Sequence, residues 1–357
     1  MNERTKKLHD IGQSLWVDNI TRTMLDDGTL ERYIDEFSVT GLTSNPTIFD
    51  KAIGGGSAYD DQVAELSERG LEGEELFFEL AITDLRRAAE LFRGVHERTT
   101  IDGRVSLEVS PKLADDAEAT IRQAAELYGR GEENFFIKIP GTGAGRKAIE
   151  ESIFAGIPIN VTLLFSTEDY LGAADAYMRG LERRVEAGLN PDVASVASLF
   201  ISRWDAAVSD TVPDDLRNKL AIAVGKRTYA AYREVLGSDR AMRLRNEGAK
   251  AQRLLWASTG TKDPDASDVL YIEALVSPFT VNTMPEKALN AFADHGEVGE
   301  TLPVDGGDAS ETLRAFNEAG IDTDELATRL QHEGKQAFVD SWNELLKTIS
   351  SQTPSAA

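Results

Sequence analysis

The stretch NFFIKIPGTGAG, residues 134–145, places a lysine inside a run that is otherwise typical of a buried β-strand. Phe135, Ile137 and Ile139 are aromatic or β-branched, and such residues are enriched in strands. Lys138 stands between the two isoleucines. Burying an ammonium group costs several kcal/mol unless the group is paired or gives up its proton. A lysine at this position therefore points to a buried partner or to a chemical use.

The glycine-rich segment that follows, residues 141–147, has some likeness to a phosphate-binding loop. A P-loop requires the spacing G-x-x-x-x-G-K-[ST]. Here Gly141 is followed four residues later by Gly145, and arginine, lysine and alanine come next. Because the spacing is not met, we interpret the segment as a strand-to-helix loop that opens a helix at about Ala144.

Strand-like and helix-like patterns alternate along the whole chain. Eight short runs are predicted as strands, near residues 13–18, 38–43, 104–109, 134–139, 158–164, 193–200, 253–257 and 269–275. Helical patterns fill most of the gaps, and Ser110 and Ser166 are predicted to cap two of the helices. This alternation favours parallel strands joined by right-handed crossovers. Eight strands in about 300 residues predict an α/β fold, a single (β/α)8 TIM barrel. An open doubly wound sheet is the alternative, but no G-x-G-x-x-G follows the first strand.

The chain of 357 residues has room for one large or two ordinary domains, and no linker-like stretch divides it. Residues 308–350 carry amphipathic patterns that we interpret as helices added to the barrel. We therefore predict one barrel domain over residues 1–350 with a C-terminal helical extension. The polar residues 351–357 are predicted to be a disordered tail.

Composition limits the classes of function. The net charge of −23 argues against a nucleic-acid partner, although a few local cations can still bind one phosphate inside an acidic protein. Cysteine is absent, and the four histidines are scattered without metal-ligand spacing. The charged opening residues MNERTKKLHD and the lack of a long apolar run predict neither a signal peptide nor a membrane span. We expect a soluble, cytoplasmic protein that uses neither a metal nor a cofactor.

Polar side chains recur late in six of the predicted strands. Because side chains alternate across a strand, one parity of each barrel strand faces the lumen. The polar residues that share a parity near the strand ends are Asp18, Thr43 with Asn45, Ser106 with Glu108 and Ser110, Asn160 with Thr162, and Ser198 with Ser202; Ser258 ends a further strand. Phe200 shares the parity of the last pair. Together with Lys138, these residues predict a polar cavity at one barrel mouth.

Such a cavity explains a buried lysine. Desolvation favours the neutral amine, which attacks a ketone to give a carbinolamine and then an iminium. The iminium is an electron sink, so the adjacent C–C bond can break and leave an enamine. Glu108 and Asp18 are the carboxylates available for the proton transfers. Asn45, Asn160 and Thr162 could hold water and substrate hydroxyls.

Two segments resemble the signatures of the transaldolase family. GLTSNPTIF (residues 41–49) resembles the first signature, and NFFIKIPGTGAGRKAIEESIFAGIPINVTLLFS (residues 134–166) resembles the second, around the Schiff-base lysine. The resemblance extends from about residue 11 to residue 290. The segments WVDNI and WASTGTKDP make the chain most similar to the longer bacterial branch of the family.

The resemblance implies a barrel of the class I aldolase type and a transferase of the non-oxidative pentose phosphate pathway. Such an enzyme moves a dihydroxyacetone unit from a ketose phosphate (sedoheptulose 7-phosphate or fructose 6-phosphate) to an aldose phosphate (glyceraldehyde 3-phosphate or erythrose 4-phosphate). By this likeness Lys138 forms the Schiff base, Asp18 is the acid/base at C–C cleavage, and Glu108 moves protons through a water held with Thr162. The implied contacts to the dihydroxyacetone part are Thr43, Asn45, Asn160 and Ser198, and those to the phosphate are Arg203 and Ser258. The implied partners are small sugar phosphates, and the chain could be a monomer or a homodimer.

One position departs from the family pattern. Many transaldolases carry a phosphate-binding arginine two residues after the serine that matches Ser258, and here that position is Gly260. We hypothesise that Lys262 supplies the missing charge, although a lysine binds phosphate as a point charge and not as a two-pronged donor.

Two other functions remain open at this point. A free aldolase of the same superfamily would release dihydroxyacetone, but Glu108 and Phe200 stand where those small aldolases commonly carry glutamine and tyrosine. A non-catalytic barrel that only binds sugar phosphates is the second alternative, and the joint presence of Lys138, Glu108 and Asp18 argues against it.

Overall fold

The computed structural model describes residues 1–352, and its centre is a closed barrel of eight parallel strands in chain order. The strands are β1 (Gln13–Asp18), β2 (Val39–Thr43), β3 (Arg104–Glu108), β4 (Phe135–Pro140), β5 (Ile159–Leu164), β6 (Ser195–Phe200), β7 (Arg253–Ala257) and β8 (Thr280–Met284). Strand β1 pairs with both β2 and β8, which closes the barrel. The predicted (β/α)8 barrel is confirmed.

Helices surround the barrel, and sixteen α-helices lie within residues 1–352. They are α1 (Glu3–Asp10), α2 (Arg22–Asp26), α3 (Thr29–Phe37), α4 (Pro46–Gly54), α5 (Asp60–Glu68), α6 (Gly73–Thr99), α7 (Ala117–Gly129), α8 (Gly143–Ala155), α9 (Thr167–Glu186), α10 (Arg203–Val208), α11 (Leu220–Gly237), α12 (Asp239–Asn246), α13 (Leu270–Ala274), α14 (Glu286–His295), α15 (Ala309–Glu318) and α16 (Thr323–Gln352). Two short 3-10 turns cover Pro111–Leu113 and Asp214–Leu216. None of the helices in the described part is both long and apolar enough to cross a bilayer.

The sequence prediction was wrong about the eighth strand. Residues 269–275 form the short helix α13, and the strand is Thr280–Met284, five residues further on. A short apolar run such as VLYIEAL fits a buried strand and a buried helix equally well. The true strand, TVNTM, is buried although it is rich in polar residues, and each of its polar side chains makes at least one hydrogen bond. Thr280 is bonded to Gln13 and Asn282 to Thr259.

Of the two predicted caps, one is confirmed. The Ser166 side chain accepts from the Asp169 amide, and the Asp169 carboxylate accepts from the Ser166 amide, which is a complete capping box at the start of α9. Ser110 makes no cap hydrogen bond. Its hydroxyl instead donates to Glu74 Oε1 at 3.0 Å, because the chain after β3 enters a 3-10 turn and not a full helix.

The C-terminal helices pack onto the barrel as one long and one short element. Helix α16 covers thirty residues and contacts α4 and α6, and its buried face includes Phe338, Trp342 and Leu345. The predicted start of the disordered tail at residue 351 is wrong, because Ser351 and Gln352 belong to α16. Gln352 Nε2 donates to Ile53 O. The remainder of the predicted tail, residues 353–357, lies outside the described residues.

Large side chains fill the barrel near the amino ends of its strands. Trp16 is fully buried, and its ring lies against Gly41 of β2 so closely that an added Cβ would lie 2.7 Å from it. Phe136 of β4 packs 6.0 Å from Trp16, centroid to centroid. These side chains fill the lumen at this level, below the carboxyl ends of the strands.

Candidate active site

A cavity of about 310 Å³ opens at the carboxyl ends of the strands. The residues that line it are Asp18, Thr43, Asn45, Thr47, Ile48, Lys51, Lys138, Thr162, Ser198, Phe200, Arg203, Ala257, Ser258, Lys262, Thr283, Pro285 and Phe338. Ten of the twelve site residues expected from the sequence are in this set. The other two, Glu108 and Asn160, lie buried next to it and contact its members.

Lys138 is buried beside Glu108. The two residues occupy paired positions on β4 and β3. Lys138 Nζ lies 3.0 Å from Glu108 Oε2 and donates a hydrogen bond of 2.8 Å to Ser44 O. The ammonium thus has one carboxylate and one carbonyl oxygen within reach, and a proton can pass from it to the carboxylate.

Burial raises the pKa of Glu108, and the negative charge of Asp18 raises it further, while the Lys138 ammonium partly opposes both. A carboxylate with a raised pKa is a better proton acceptor than an exposed glutamate. Glu108 Oε1 is buried and has no hydrogen-bond partner among residues 1–352. This oxygen has free capacity for a bound water or a substrate hydroxyl.

Asp18 ends β1 at the wall of the same cavity. Thr43 Oγ1 donates to Asp18 Oδ1 at 2.7 Å and lies 2.6 Å from Thr283 Oγ1. Because the Thr43 hydroxyl has one proton, which it donates to Asp18, the Thr283 hydroxyl is the donor in the second contact. Burial raises the pKa of Asp18, opposed by the charges of Lys138 and Lys262 and by the Thr43 hydrogen bond. The buried carboxyl of Glu108 and the partly buried carboxyl of Asp18 therefore both interact with the Lys138 charge.

Asn160 is held in one orientation by its neighbours. Ser198 Oγ donates to Asn160 Oδ1 at 2.7 Å, and Asn160 Nδ2 donates to Ser106 Oγ at 3.2 Å. These bonds join β5 to β6 and β3 beneath the cavity. Asn45 also has a structural role, since its Oδ1 accepts from the Ile48 amide and caps α4.

Thr162 lies at an irregularity in the barrel. The register between β5 and β6 shifts between Val161 and Leu164, and Leu163 has a φ of 59°. A bulge of this kind redirects a side chain, and left-handed backbone at a leucine is strained. Thr162 Oγ1 is buried without a hydrogen-bond partner among residues 1–352. Glu108 and Thr162 thus both have unused hydrogen-bonding capacity.

Three further cations line the mouth of the cavity: Lys51, Arg203 and Lys262. No carboxylate of residues 1–352 lies within 4.0 Å of any of the three. Arg203 is partly buried, its guanidinium is 5.3 Å from the Phe200 ring, and burial lowers its pKa. The cavity is therefore locally positive in a chain of net charge −23.

Ser258 follows β7 with a φ of 57°, and its hydroxyl lies 2.9 Å from that of Ser202. Gly260, at the position where the family pattern has arginine, lies against Pro285 at the rim of the cavity. An added Cβ there would be 3.2 Å from Pro285 Cγ. The space beside Gly260 is thus partly filled, while Lys262 lines the cavity two residues later.

Sequence reasoning missed several cavity residues, chiefly Lys51, Thr283 and Phe338. Phe338 of α16 lies over the site, with its ring 5.9 Å from Lys138 Nζ and 6.4 Å from the Phe200 ring. Thr283 was missed with the eighth strand. Two other residues named by parity, Ser110 and Ser202, do not line the cavity, because Ser110 bonds to Glu74 and Ser202 bonds to Ser258.

Comparisons with known proteins all identify similarity to transaldolases. The model of the family described as Transaldolase/Fructose-6-phosphate aldolase matches residues 15–349. A protein of Saccharopolyspora erythraea named Transaldolase is 43% identical over 363 aligned residues, which cover 99% of each chain. A Transaldolase of a Parafrankia species is 43% identical over 368 residues and covers 100% of both chains. Transaldolase 2 of Streptomyces coelicolor is also 43% identical, over 99% of this chain and 98% of its own.

Proposed function

The chain belongs to the transaldolase/fructose-6-phosphate aldolase family, and from that premise we propose that it is a transaldolase that works through a Schiff base on Lys138. It transfers a dihydroxyacetone unit from sedoheptulose 7-phosphate or fructose 6-phosphate to glyceraldehyde 3-phosphate or erythrose 4-phosphate. The observation that carries the proposal is the buried Lys138 amine, which faces a cavity of carboxylates and hydroxyls and lies 3.0 Å from Glu108 Oε2.

The first steps form the covalent bond. Glu108 accepts a proton from the Lys138 ammonium, and the neutral amine attacks the C2 carbonyl of the ketose phosphate. The carbinolamine then loses its C2 hydroxyl as water and becomes an iminium. Glu108 Oε1 and Thr162 Oγ1, which have no partners within residues 1–352, support a water bound between them that carries protons to and from this hydroxyl.

Asp18 acts in the cleavage of the C3–C4 bond. It takes the proton from the C4 hydroxyl as the C3–C4 bond breaks, so the aldose phosphate leaves and the electron pair passes into the iminium to give an enamine. Its raised pKa favours this proton transfer. In the second half, the enamine attacks the acceptor aldehyde, Asp18 returns the proton, and water releases the product ketose from Lys138.

The remaining polar residues bind the substrate. Thr43, Asn45 and Ser198, which line the cavity, are the proposed contacts to the hydroxyls of the dihydroxyacetone part, and Asn160 is the fourth, beneath the cavity and bonded to Ser198. Arg203, Ser258 and Lys262 bind the phosphate, and Lys51 adds a cation at the same mouth. Lys262→Ala is expected to raise KM for phosphorylated substrates about tenfold, the effect of losing one charge-assisted contact. Lys147→Ala removes an exposed lysine on α8 that pairs with Glu118, and it serves as the control.

Transfer is favoured over simple release of dihydroxyacetone. The relatives named Transaldolase match the chain over its whole length. Glu108 and Phe200 are also the residue types that the resemblance associates with transfer at these two positions. We further propose that the protein acts in the cytoplasm as a monomer or a homodimer. The absence of cysteine is compatible with a reducing compartment.

Trapping tests the proposal directly. The protein is incubated with fructose 6-phosphate and borohydride, and the adduct is mapped by mass spectrometry. We expect a reduced dihydroxyacetone adduct on Lys138, and none in Lys138→Arg. The carbon balance then separates the activities: acceptor-dependent product means transferase, and free dihydroxyacetone means aldolase. A folded protein without an adduct on Lys138 would disprove the covalent mechanism.

A further inference from the structure

A second cavity lies at the opposite end of the barrel from the site described above. Its volume is about 480 Å³, within the usual range for small-molecule pockets. We call it the amino-end pocket, and its lining includes Phe136, Tyr232, Arg233, Arg245, Lys250, Arg253 and Phe279. Arg253 begins the strand β7 that Ser258 follows. At about 3.3 Å per residue the two pockets are therefore roughly 17 Å apart.

The amino-end pocket is basic. Two of its four cations have carboxylate partners: Arg253 contacts Asp102 at 2.8 Å, and Lys250 contacts Asp192 at 2.9 Å. Arg233 and Arg245 have none within 4.0 Å among residues 1–352. Arg233 donates to Tyr229 Oη and Arg245 donates to Leu236 O, and both acceptors are neutral. The pocket therefore offers two guanidinium groups that form no ion pair within the described residues.

A buried arginine adds to this charge. Arg104 is 5% exposed, no carboxylate of the described chain lies within 4.0 Å of it, and its Nε has no hydrogen-bond partner there. Its guanidinium stacks 5.1 Å from the ring of Phe136, which lines the pocket. Burial lowers the pKa of Arg104 to about 10, and the charge of Arg253 also lowers it. An anion in the pocket would relieve part of this repulsion.

Phe279 supplies an aromatic surface at the rim. Its side chain is 62% exposed, and its φ is 62°, a left-handed conformation that is strained for an aromatic residue. Two hydrogen bonds hold this backbone: the Phe279 amide donates to Gly12 O, and Tyr232 Oη donates to Phe279 O. The Arg233 guanidinium lies 5.6 Å from the Phe279 ring. An exposed ring in a strained conformation points to a surface that binds something.

We propose that the amino-end pocket is a second binding site, for a small anion that carries a planar aromatic ring, of the nucleoside monophosphate class. Arg233 and Arg245 bind the anionic group, as guanidinium groups do with phosphate. The ring of the ligand packs against Phe279 and the apolar wall of the pocket. The proposal does not depend on the chemistry at Lys138.

Calorimetric titration at fixed ionic strength tests the assignment with three probes: adenosine 5′-monophosphate, adenosine and inorganic phosphate. We expect adenosine 5′-monophosphate to bind at least tenfold more tightly than either fragment. Arg245→Glu and Phe279→Gly should each weaken its binding tenfold or more. Both changes are compatible with folding, because Arg245 is exposed and glycine relieves the strain at residue 279.

Lys262→Ala is the matched control, since it changes the catalytic cavity and leaves the amino-end pocket intact. Adenosine 5′-monophosphate should bind this variant as tightly as the unmodified protein, and Arg245→Glu should keep full transferase activity. The proposal is overturned if the nucleotide does not bind, or binds no better than phosphate. It is also overturned if Lys262→Ala weakens binding while Arg245→Glu does not, or if Phe279→Gly changes only the oligomeric state.

Discussion

Lys138 and Glu108 meet because their strands are in register, so the barrel itself sets the distance between amine and carboxylate. Neither side chain needs a flexible loop to reach the other. A buried ion pair of this kind contributes little net stability. Its presence is better explained by proton transfer from the Lys138 ammonium to the Glu108 carboxylate. Asp18, at the end of β1, is a second carboxyl whose raised pKa is partly opposed by the Lys138 charge.

Glu108→Gln tests the role of this carboxylate. Losing a general base should lower kcat by about 10²–10³, while Lys138 remains open to borohydride trapping. The pKa of Glu108 is raised, so the carboxylate is protonated at pH values where an exposed glutamate is ionised, and activity is lost as pH falls through that raised pKa. The acid limb of the pH–kcat profile should therefore move to lower pH, and an unchanged limb would exclude Glu108 as its source.

Thr162→Val separates catalysis from stability. The Thr162 hydroxyl is buried without a hydrogen-bond partner in the described part of the chain, so replacing it with a methyl group should leave the thermal unfolding temperature unchanged or higher. We expect kcat to fall about tenfold or more, because the proposed water loses a ligand. Ser152→Ala in α8 is the matched control, since this hydroxyl is also buried, has no partner among residues 1–352 and does not line the cavity. If Thr162→Val keeps full kcat, the water relay through Thr162 is wrong.

The candidate site could be predicted where strand parity decides side-chain direction. Asp18, Thr43 and Glu108 follow from alternation in three correctly assigned strands, whereas Lys138 was recognised as a lysine within an otherwise apolar strand. Lys51 and Phe338 could not be predicted in this way, because they lie on α4 and α16. The local sequence pattern does not predict how these helices pack over the barrel mouth. Parity also fails beyond the end of a strand. This explains why Ser110, which lies in the 3-10 region after β3, points to Glu74 and away from the cavity.

At the level of elements, the first seven strands were predicted within two residues at each end, and the eighth was not. The difference has a physical cause. In the first seven the strand core is apolar or alternates cleanly, whereas TVNTM owes its burial to hydrogen bonds with residues far away in sequence. Thr283 contacts Thr43, and Asn282 contacts Thr259. A window of a few residues cannot predict hydrogen bonds to distant parts of the chain, so it does not identify a buried strand of this composition.

Helix α16 makes a close contact at Gly334 with Arg203, the proposed phosphate ligand. An added Cβ at this position would lie 3.1 Å from the Arg203 guanidinium and 3.2 Å from Leu163 Cδ2. Gly334→Ala should therefore displace the Arg203 side chain and raise KM for sugar phosphates severalfold, although alanine favours the helix by about 1 kcal/mol. The measurement is steady-state kinetics with fructose 6-phosphate as donor.

Gly94→Ala in α6 is the matched control for this substitution. Gly94 is exposed, and an added Cβ there meets nothing within 4 Å. This change should stabilise the protein by about 0.5–1 kcal/mol and leave KM unaltered. If Gly334→Ala also only stabilises the protein, the contact between α16 and Arg203 has no bearing on substrate binding.

At the scale of the whole molecule, global and local charge oppose each other. The chain carries a net charge of −23, yet Lys51, Arg203 and Lys262 line one mouth of the barrel without carboxylate partners within the described residues. A sugar phosphate is repelled at long range and attracted only when it is close to the cavity. The two interactions differ in range, so salt distinguishes them.

The Debye length falls from about 30 Å at 0.01 M salt to about 10 Å at 0.1 M, and screening acts more on distant exposed charges than on partly buried contacts. Long-range repulsion by the acidic surface should therefore weaken first. We expect kcat/KM for fructose 6-phosphate and erythrose 4-phosphate to rise severalfold as sodium chloride is raised from 10 to 100 mM, the reverse of electrostatic steering. Lys262→Gln should show the same rise from a lower starting value, since it removes a local cation and leaves the surface charge nearly unchanged. A steady fall in kcat/KM over this range would mean that the field of the cavity cations extends past the acidic surface and guides substrate in from solution.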